Sequence, residues 1–143
     1  MKTITSANSE FLLAIGGIYP VAQRIEGYQA DAAFAFDDVT TGEVVQGVDG
    51  KMSKGWIPHL TPQTITIMPD SPSFSIFNNW ALAEDTAREK FSADATITLP
   101  SIGMKYVLSN GALISYKPMP DAKKTLQPMT YKITWESCTP SPI

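Results

Sequence analysis

The stretch DSPSFSIFNNWALAEDTAREKF, residues 70–91, decides the reading of this chain, because it alone carries the pattern of a long helix. Ser71 offers a capping hydroxyl, and Pro72 then falls at the first helical position, where its missing N–H costs nothing. On a 3.6-residue period, Ile76, Trp80, Ala83, Ala87 and Phe91 share one face, with Phe77 beside them. Asn78, Asp85 and Glu89 fall opposite, and Glu84 and Arg88 have the spacing of an i,i+4 ion pair. Leu82 points out among the polar residues. It is either an ordinary surface leucine or a candidate outer-face contact with another subunit.

Outward from this helix, the chain alternates like strands or turns like loops. Residues 63–68 place Ile65 and Ile67 on one side and Thr64 and Thr66 on the other, and residues 94–99 repeat that pattern. Residues 129–136 point Tyr131, Ile133 and Trp135 inward and Thr130, Lys132 and Thr134 outward. Residues 10–15 and 19–28 are two strands around the turn signal Gly16-Gly17. Residues 33–39 and 43–48 follow, with Thr40-Thr41-Gly42 as a hairpin tip. Residues 104–109 and 112–117 flank Asn110-Gly111, the strongest short hairpin signal. Pro118 closes the second of these, 118–124 is a loop, and 139–143 is a Pro-rich tail. The expected fold is mainly β, a β-sandwich or split barrel with one flanking α-helix. The 143 residues form one domain, with a long extended loop at about 47–62.

That loop, GVDGKMSKGWIPHLTP, is interrupted by three glycines and two prolines and has no sustained period. It is long for a connection within a compact domain. It carries Lys51, Lys54, Trp56, Ile57, His59 and Leu60, a set that an entropic tail would not hold. These six are the candidate subunit contacts. The alternative is that Trp56 folds back on the domain's own core.

Composition excludes several classes. The net charge is −3 with no Lys/Arg block, which argues against a sequence-specific nucleic-acid binder. The charged share is 17%, low enough to suit a subunit with much of its surface inside an assembly. The apolar run 11–18 is too short to span a bilayer and lacks a basic segment before it, so no membrane insertion is expected. Cys138 is the only cysteine, so no internal disulfide can form, and an intersubunit one is the less favoured alternative to an inert thiol. His59 is the only histidine, and no nucleotide-binding, HExxH or zinc spacing occurs. The expectation is no catalytic residue, no metal and no cofactor.

Largely uncharged, threonine-rich faces on three strands suit the wall of a passage or a contact with another subunit. Free strand edges would be removed if the sheet continued into a neighbouring copy.

A more specific likeness rests on particular blocks. These are Gly47-Val48-Asp49-Gly50-Lys51, Gln63-Thr64-Ile65-Thr66-Ile67, and Asp70-Ser71-Pro72-Ser73 before the helix with Ile76, Phe77 and Trp80. Leu99-Pro100-Ser101-Ile102-Gly103, Leu126-Gln127-Pro128-Met129-Thr130 and Ile133-Thr134-Trp135-Glu136 complete the set. With them the chain resembles the tail tube proteins of contractile-tailed bacteriophages, a family sometimes labelled phage tail fibre protein. The resemblance implies hexameric rings stacked into a hollow conduit for DNA, with the long loop reaching the adjacent ring. It implies sheath, tape-measure and baseplate or terminator proteins as partners. It also implies a place in the virion tail after assembly in the host cytoplasm. A receptor- or glycan-binding tail-fibre module and the tube of a contractile injection system are the alternatives.

Overall fold

The computed structural model describes residues 9–25 and 34–143. Its elements in chain order are β1 (Glu10–Ile15), β2 (Tyr19–Arg24), β3 (Phe34–Phe36), β4 (Gly42–Gln46), β5 (Met52–Trp56) and β6 (Thr61–Ile67). The helix α1 (Phe74–Ala87) follows, then β7 (Ala93–Leu99), β8 (Met104–Tyr116) and β9 (Met129–Pro142). Seven strands form one antiparallel sheet in the order β2-β1-β7-β8-β9-β6-β3, and β4 and β5 form a separate two-stranded ribbon. The expected mainly β fold with one flanking helix is therefore what the chain adopts.

The sheet is strongly curled. Phe11 on β1 and Phe34 on β3 lie five strands apart in the sheet order, yet their rings meet edge to face at 5.9 Å. Curling encloses a core built from alternate residues of each strand. Phe11, Leu13 and Ile15, Ile65 and Ile67, Ala93, Ala95 and Ile97, and Met129, Tyr131, Ile133 and Trp135 are all buried. This is the alternation legible in the sequence: period-two apolar residues face in and threonines face out. The register sets Thr66 opposite Thr130 and Thr64 opposite Lys132 on the outer face.

Helix α1 closes one end of this interior. Phe77 stacks on Tyr131 with centroids 4.5 Å apart, and Asn79 donates to the Tyr19 hydroxyl on β2 at 2.8 Å. The helix is shorter than its pattern predicts at both ends. Ser71 accepts the Ser73 N–H at 3.1 Å as a capping hydroxyl would, but the chain makes a tight turn there and the helix begins at Phe74. Pro72 therefore precedes the helix. The C-terminus stops at Arg88, which takes the left-handed conformation with φ 56° and donates its N–H to Glu84 O at 2.7 Å. The buried residues are Ile76, Phe77, Trp80, Ala81 and Glu84, so the apolar face is rotated from the predicted one. Ala83 is half-buried, Ala87 is exposed, and Phe91 lies beyond the helix, packed beside the core.

Glu84 explains both differences. Its carboxylate is 6% exposed and accepts the Trp80 indole N–H at 3.2 Å, the Phe91 backbone N–H at 2.9 Å and the Lys90 ammonium at 2.9 Å. Lys90 also donates to Leu113 O on β8 at 2.8 Å. The expected partner, Arg88, is instead consumed by the turn that brings Lys90 and Phe91 back to Glu84. A buried carboxylate with three donors is satisfied, and the strained left-handed Arg88 is held by those bonds.

Three further expectations change. Asn110-Gly111 is not a hairpin: β8 runs through it as one 13-residue strand. Asn110 takes φ 51° and the pairing to β7 slips, with Ala95 opposite Leu108 but Ala93 opposite Gly111. The dipeptide makes a bulge that bends the strand instead of ending it. Gly111 is required by packing, because a Cβ there would lie 2.4 Å from Trp135 Cε3. The Pro-rich tail is the end of β9, with Pro140 opposite Tyr106 and Pro142 opposite Met104. The two prolines share one phase and lie past the end of β6, where that edge of β9 needs no donor. Finally, the tip 40–42 joins no hairpin, since β3 pairs with β6 and β4 with β5. Residues 26–28 of the strand predicted at 19–28, and residue 33 of the one predicted at 33–39, lie outside the described residues.

Candidate functional site

The extended loop expected at 47–62 is partly strand, at residues 52–56 and 61–62. It contains the turn 47–51, all of β5 and the start of β6. The pairing runs from Gly42–Trp56 through Val44–Lys54 to Gln46–Met52, so residues 42–56 form a ribbon with its tip at 47–51. Asp49 and Gly50 shape the tip: Asp49 Oδ1 accepts the Lys51 N–H at 3.1 Å, and Gly50 supplies φ 84°. The lack of a sequence period has a simple cause. Neither face of the ribbon is covered by the domain, so no alternation of buried and exposed side chains is imposed.

Every residue of β4 and β5 is exposed. Val44, Val45 and Met52 are each about 60% exposed, and Val48 at the tip is fully so. None of these aliphatic side chains is covered by the described residues of the domain. Directly opposed residues share a face, so Trp56, Val44, Lys54, Gln46 and Met52 lie on one side. Glu43, Gly55, Val45 and Ser53 lie on the other.

At the ribbon's root, Trp56 is 72% exposed and does not fold into the core. It meets His59 edge to face at 5.8 Å, and His59 Nδ1 donates to Ile57 O at 3.0 Å. Ile57 is half-buried, with its N–H donated to Thr41 O at 3.1 Å. Leu60 is exposed, as are Lys51 and Lys54. Of the six candidate contacts, Trp56, His59 and Leu60 come together at the root, while Lys51 and Lys54 ride out on the ribbon. Leu82 is exposed on the outward side of α1 at the far end of the domain.

The root overhangs an opening that the sequence did not reveal. A cleft of ≈ 1020 Å³ lies at the end of the curled sheet opposite α1. Phe34, Phe36, Ile97, Leu99, Tyr106 and Cys138 line its wall, and Trp56, Pro58, His59 and Leu60 form its lip. Its charged lining, among the described residues, is acidic: Asp37 and Glu136. Burial pushes the Cys138 thiol pKa up, which favours its protonated form. Residues of five separate chain segments, 34–41, 56–61, 97–99, 106 and 136–138, meet here, a convergence that no local pattern displays. Among the described residues, no three histidine, cysteine or carboxylate side chains gather as a metal site would need. No described helix is long and apolar enough to cross a membrane.

The family model described as tail fiber protein gp32 matches residues 2–139. No curated protein sequence matches the chain. Among solved structures, the chain is similar to a subunit of the sheath-tube complex of an extracellular contractile injection system, PVC, in its extended state. That likeness has a TM-score of 0.65 at 15% identity over 93% of this chain and 88% of the other. It is similar to a subunit of the sheath/tube terminator of the same system, with TM-score 0.63, 14% identity and 92% of each chain covered. A subunit of the anti-feeding prophage baseplate matches with TM-score 0.59, 14% identity, and 99% of this chain and 97% of the other covered. At these identities the likeness establishes a shared fold.

Proposed function

The chain belongs to the tail fiber protein gp32 family, and from that membership we propose that it is a structural subunit of a phage tail tube. In this reading hexameric rings of the protein stack into a hollow conduit for DNA. Sheath, tape-measure and baseplate or terminator proteins are its partners, and its place is the virion tail after assembly in the host cytoplasm. It is not an enzyme. The observation that carries the reading is the ribbon 42–56, exposed over its whole length and rich in aliphatic side chains, on a fold shared with injection-system tube subunits. A protein that functioned alone would gain nothing from presenting Val44, Val45, Val48 and Met52 to water. The hydroxyls of Thr64, Thr66, Thr96, Thr98 and Thr130 on the outer face of the sheet suit a wall past which DNA moves without binding. Leu82 and the polar side of α1 then face a neighbouring subunit or the sheath.

A second reading, a receptor- or glycan-binding fibre module, is favoured by the family's description alone. The tube of a contractile injection system is a third, favoured by the sheath-tube likeness. Negative-stain microscopy of the purified protein separates the first two: hollow rings or tubes support the conduit, and dispersed monomers that bind cell-surface sugar overturn it. Gly42 and Trp56 face each other, so residues 43–55 can be replaced by Asn-Gly without opening the domain. That variant is expected to fold as the parent does and to form no tubes.

A further inference from the structure

We propose that a groove between the end of β8 and the start of β9 is a weak contact site for the phosphate backbone of nucleic acid. Loop 117–128 joins these strands at the α1 end of the sheet, where Tyr131 of β9 stacks on Phe77. The inference rests on the conduit reading for the source of its ligand, and it adds a point at which the wall touches DNA.

The first observation is charge. Residues 115–132 hold four of the chain's 11 basic residues, Lys117, Lys123, Lys124 and Lys132, and one of its 14 acidic residues, Asp121. A chain of net charge −3 thus carries a local cationic stretch. The one acid is engaged nearby, with Asp121 Oδ2 2.8 Å from Lys117 Nζ in a solvent-exposed pair. A pair of that kind holds an ammonium weakly and leaves it further donors. Lys132 has no carboxylate partner among the described residues.

The second observation is the groove itself, of ≈ 460 Å³. Lys117 and Lys132 line it with the hydroxyls of Ser115, Tyr116 and Thr130, and no described carboxylate does. The three hydroxyls make no hydrogen bond to another described residue. A bulge builds this arrangement. Leu113 pairs with Ile133, but the register then slips, so that Ser115 and not Ile114 stands opposite Lys132. The slip sets a hydroxyl beside the ammonium where an unbroken ladder would set an isoleucine. Thr130 lies two residues from Lys132 and so shares its face. Pro118 and Pro128 fix the two ends of the loop beside the groove. Within the loop, the Gln127 N–H donates to Asp121 O at 3.0 Å and the Lys123 N–H to Thr125 O at 3.2 Å. The donors are therefore held in place before a ligand arrives.

Two ammoniums and three hydroxyls without a guanidinium match a phosphate better than a carboxylate. The planar fork of arginine is what grips carboxylates, and here Arg24 ends β2 and Arg88 caps α1. Lysine and hydroxyl donors position a nucleic-acid backbone without reading its bases. Two neutralised phosphates give a salt slope of about −2, so affinity falls about tenfold between roughly 50 and 200 mM salt. Thr130 and Lys132 belong to the outer, threonine-rich face of the sheet. The wall therefore touches DNA at this groove without holding it.

The test is fluorescence anisotropy of a labelled DNA duplex of about 20 base pairs, titrated with the purified protein at several salt concentrations. The parent is expected to bind with a log–log salt slope of about −2. Lys117→Gln with Lys132→Gln is expected to weaken binding about tenfold at low salt and to remove most of the slope. Lys51→Gln with Lys54→Gln makes the same change of charge on the ribbon and is expected to alter neither. Ser115→Ala with Thr130→Ala is expected to weaken binding about threefold with the slope unchanged, which a merely cationic surface would not do. Circular dichroism of each variant checks that the fold is retained. No binding at the lowest salt, or equal losses from the ribbon and groove variants, overturns the proposal. So does displacement of the duplex by poly-glutamate as readily as by unlabelled duplex. Inorganic phosphate is the second probe. If it shifts the amide NMR signals of residues 115–117 and 130–132 while the duplex does not, the groove belongs to the free ion and the nucleic-acid contact is overturned. Tube formation is scored separately by negative stain. Tubes from a parent that binds no duplex overturn this contact alone, and duplex binding by a parent that forms no tubes overturns the conduit reading alone.

Discussion

The two ends of the curled sheet are built on opposite principles. At one end α1 lies over the core, Phe77 stacks on Tyr131, and the buried Glu84 carboxylate is satisfied by three donors. At the other end the same strands run out into a cleft walled by Ile97, Leu99 and Tyr106, and the chain sends its aliphatic side chains outward on a ribbon. The first end is completed by its own chain. The second is left uncovered by the described residues. If the proposed assembly takes place there, stability and assembly are served by separate ends of the fold, and each can be altered without the other.

That separation can be broken most severely in the core. Trp135 is fully buried and its indole N–H donates to Gln63 Oε1 at 2.7 Å. Trp135→Ala is expected to cost about 4 kcal/mol of folding stability, measured by urea denaturation. A loss below about 1 kcal/mol would show that the core relaxes freely around the bulge, contrary to the packing described. Gly111→Ala comes next. It drives a methyl group into the same indole and is expected to cost about 3 kcal/mol. The test is whether the double variant Gly111→Ala, Trp135→Leu is less damaged than the sum of the two single changes.

At the closed end, Glu84→Ala removes the acceptor for the Trp80 and Phe91 N–H groups and leaves Lys90 beside Leu113 O. The expected loss is about 2 kcal/mol, with tubes still forming from the fraction that folds. Assembly lost in step with stability would mean that the two ends are coupled after all. A smaller effect is set by pH. Burial raises the Tyr131 hydroxyl pKa to about 12 from 10.0. The folded state therefore holds this proton more tightly than the unfolded chain does. The corresponding stability is fully present below pH 10, declines as the unfolded chain ionises, and is lost as pH rises through about 12. Melting temperature followed over that window is expected to fall less steeply in Tyr131→Phe. The least effect on folding belongs to the ribbon. Val44→Ser with Met52→Ser is expected to change stability by less than about 0.5 kcal/mol and yet to prevent assembly. A cooperative loss of fold would show that the ribbon supports the domain.

How much of this was legible in the chain depended on whether one local period governed the residues concerned. Ile65, Ile67, Tyr131, Ile133 and Trp135 face inward as their alternation requires, because one sheet face is covered and the other is not. The helix was legible in kind but not in extent, since a left-handed Arg88 has no sequence signature when glycine is absent. The apolar spacing of α1 led toward Ala87 and Phe91, whereas the real face includes a carboxylate, and a glutamate is read as exposed until its donors are known. Six candidate contact residues were named from loop length and side-chain type, but their division between a root and a projecting arm was not legible.

By itself, then, the sequence determined the mainly β class, the inward faces of the central strands, the presence of one helix and the segment that leaves the domain. Those properties follow from patterns two to four residues long, and the chain carries them wherever it folds. Tertiary structure alone decided that Asn110-Gly111 bends a strand instead of reversing it. That choice rested on a long β9 standing alongside to pair with both halves of β8. It alone decided that Glu84 turns inward and that one end of the sheet stays open. Each of these depends on residues far apart in the chain arriving at one place, and no local preference of the backbone encodes such a meeting.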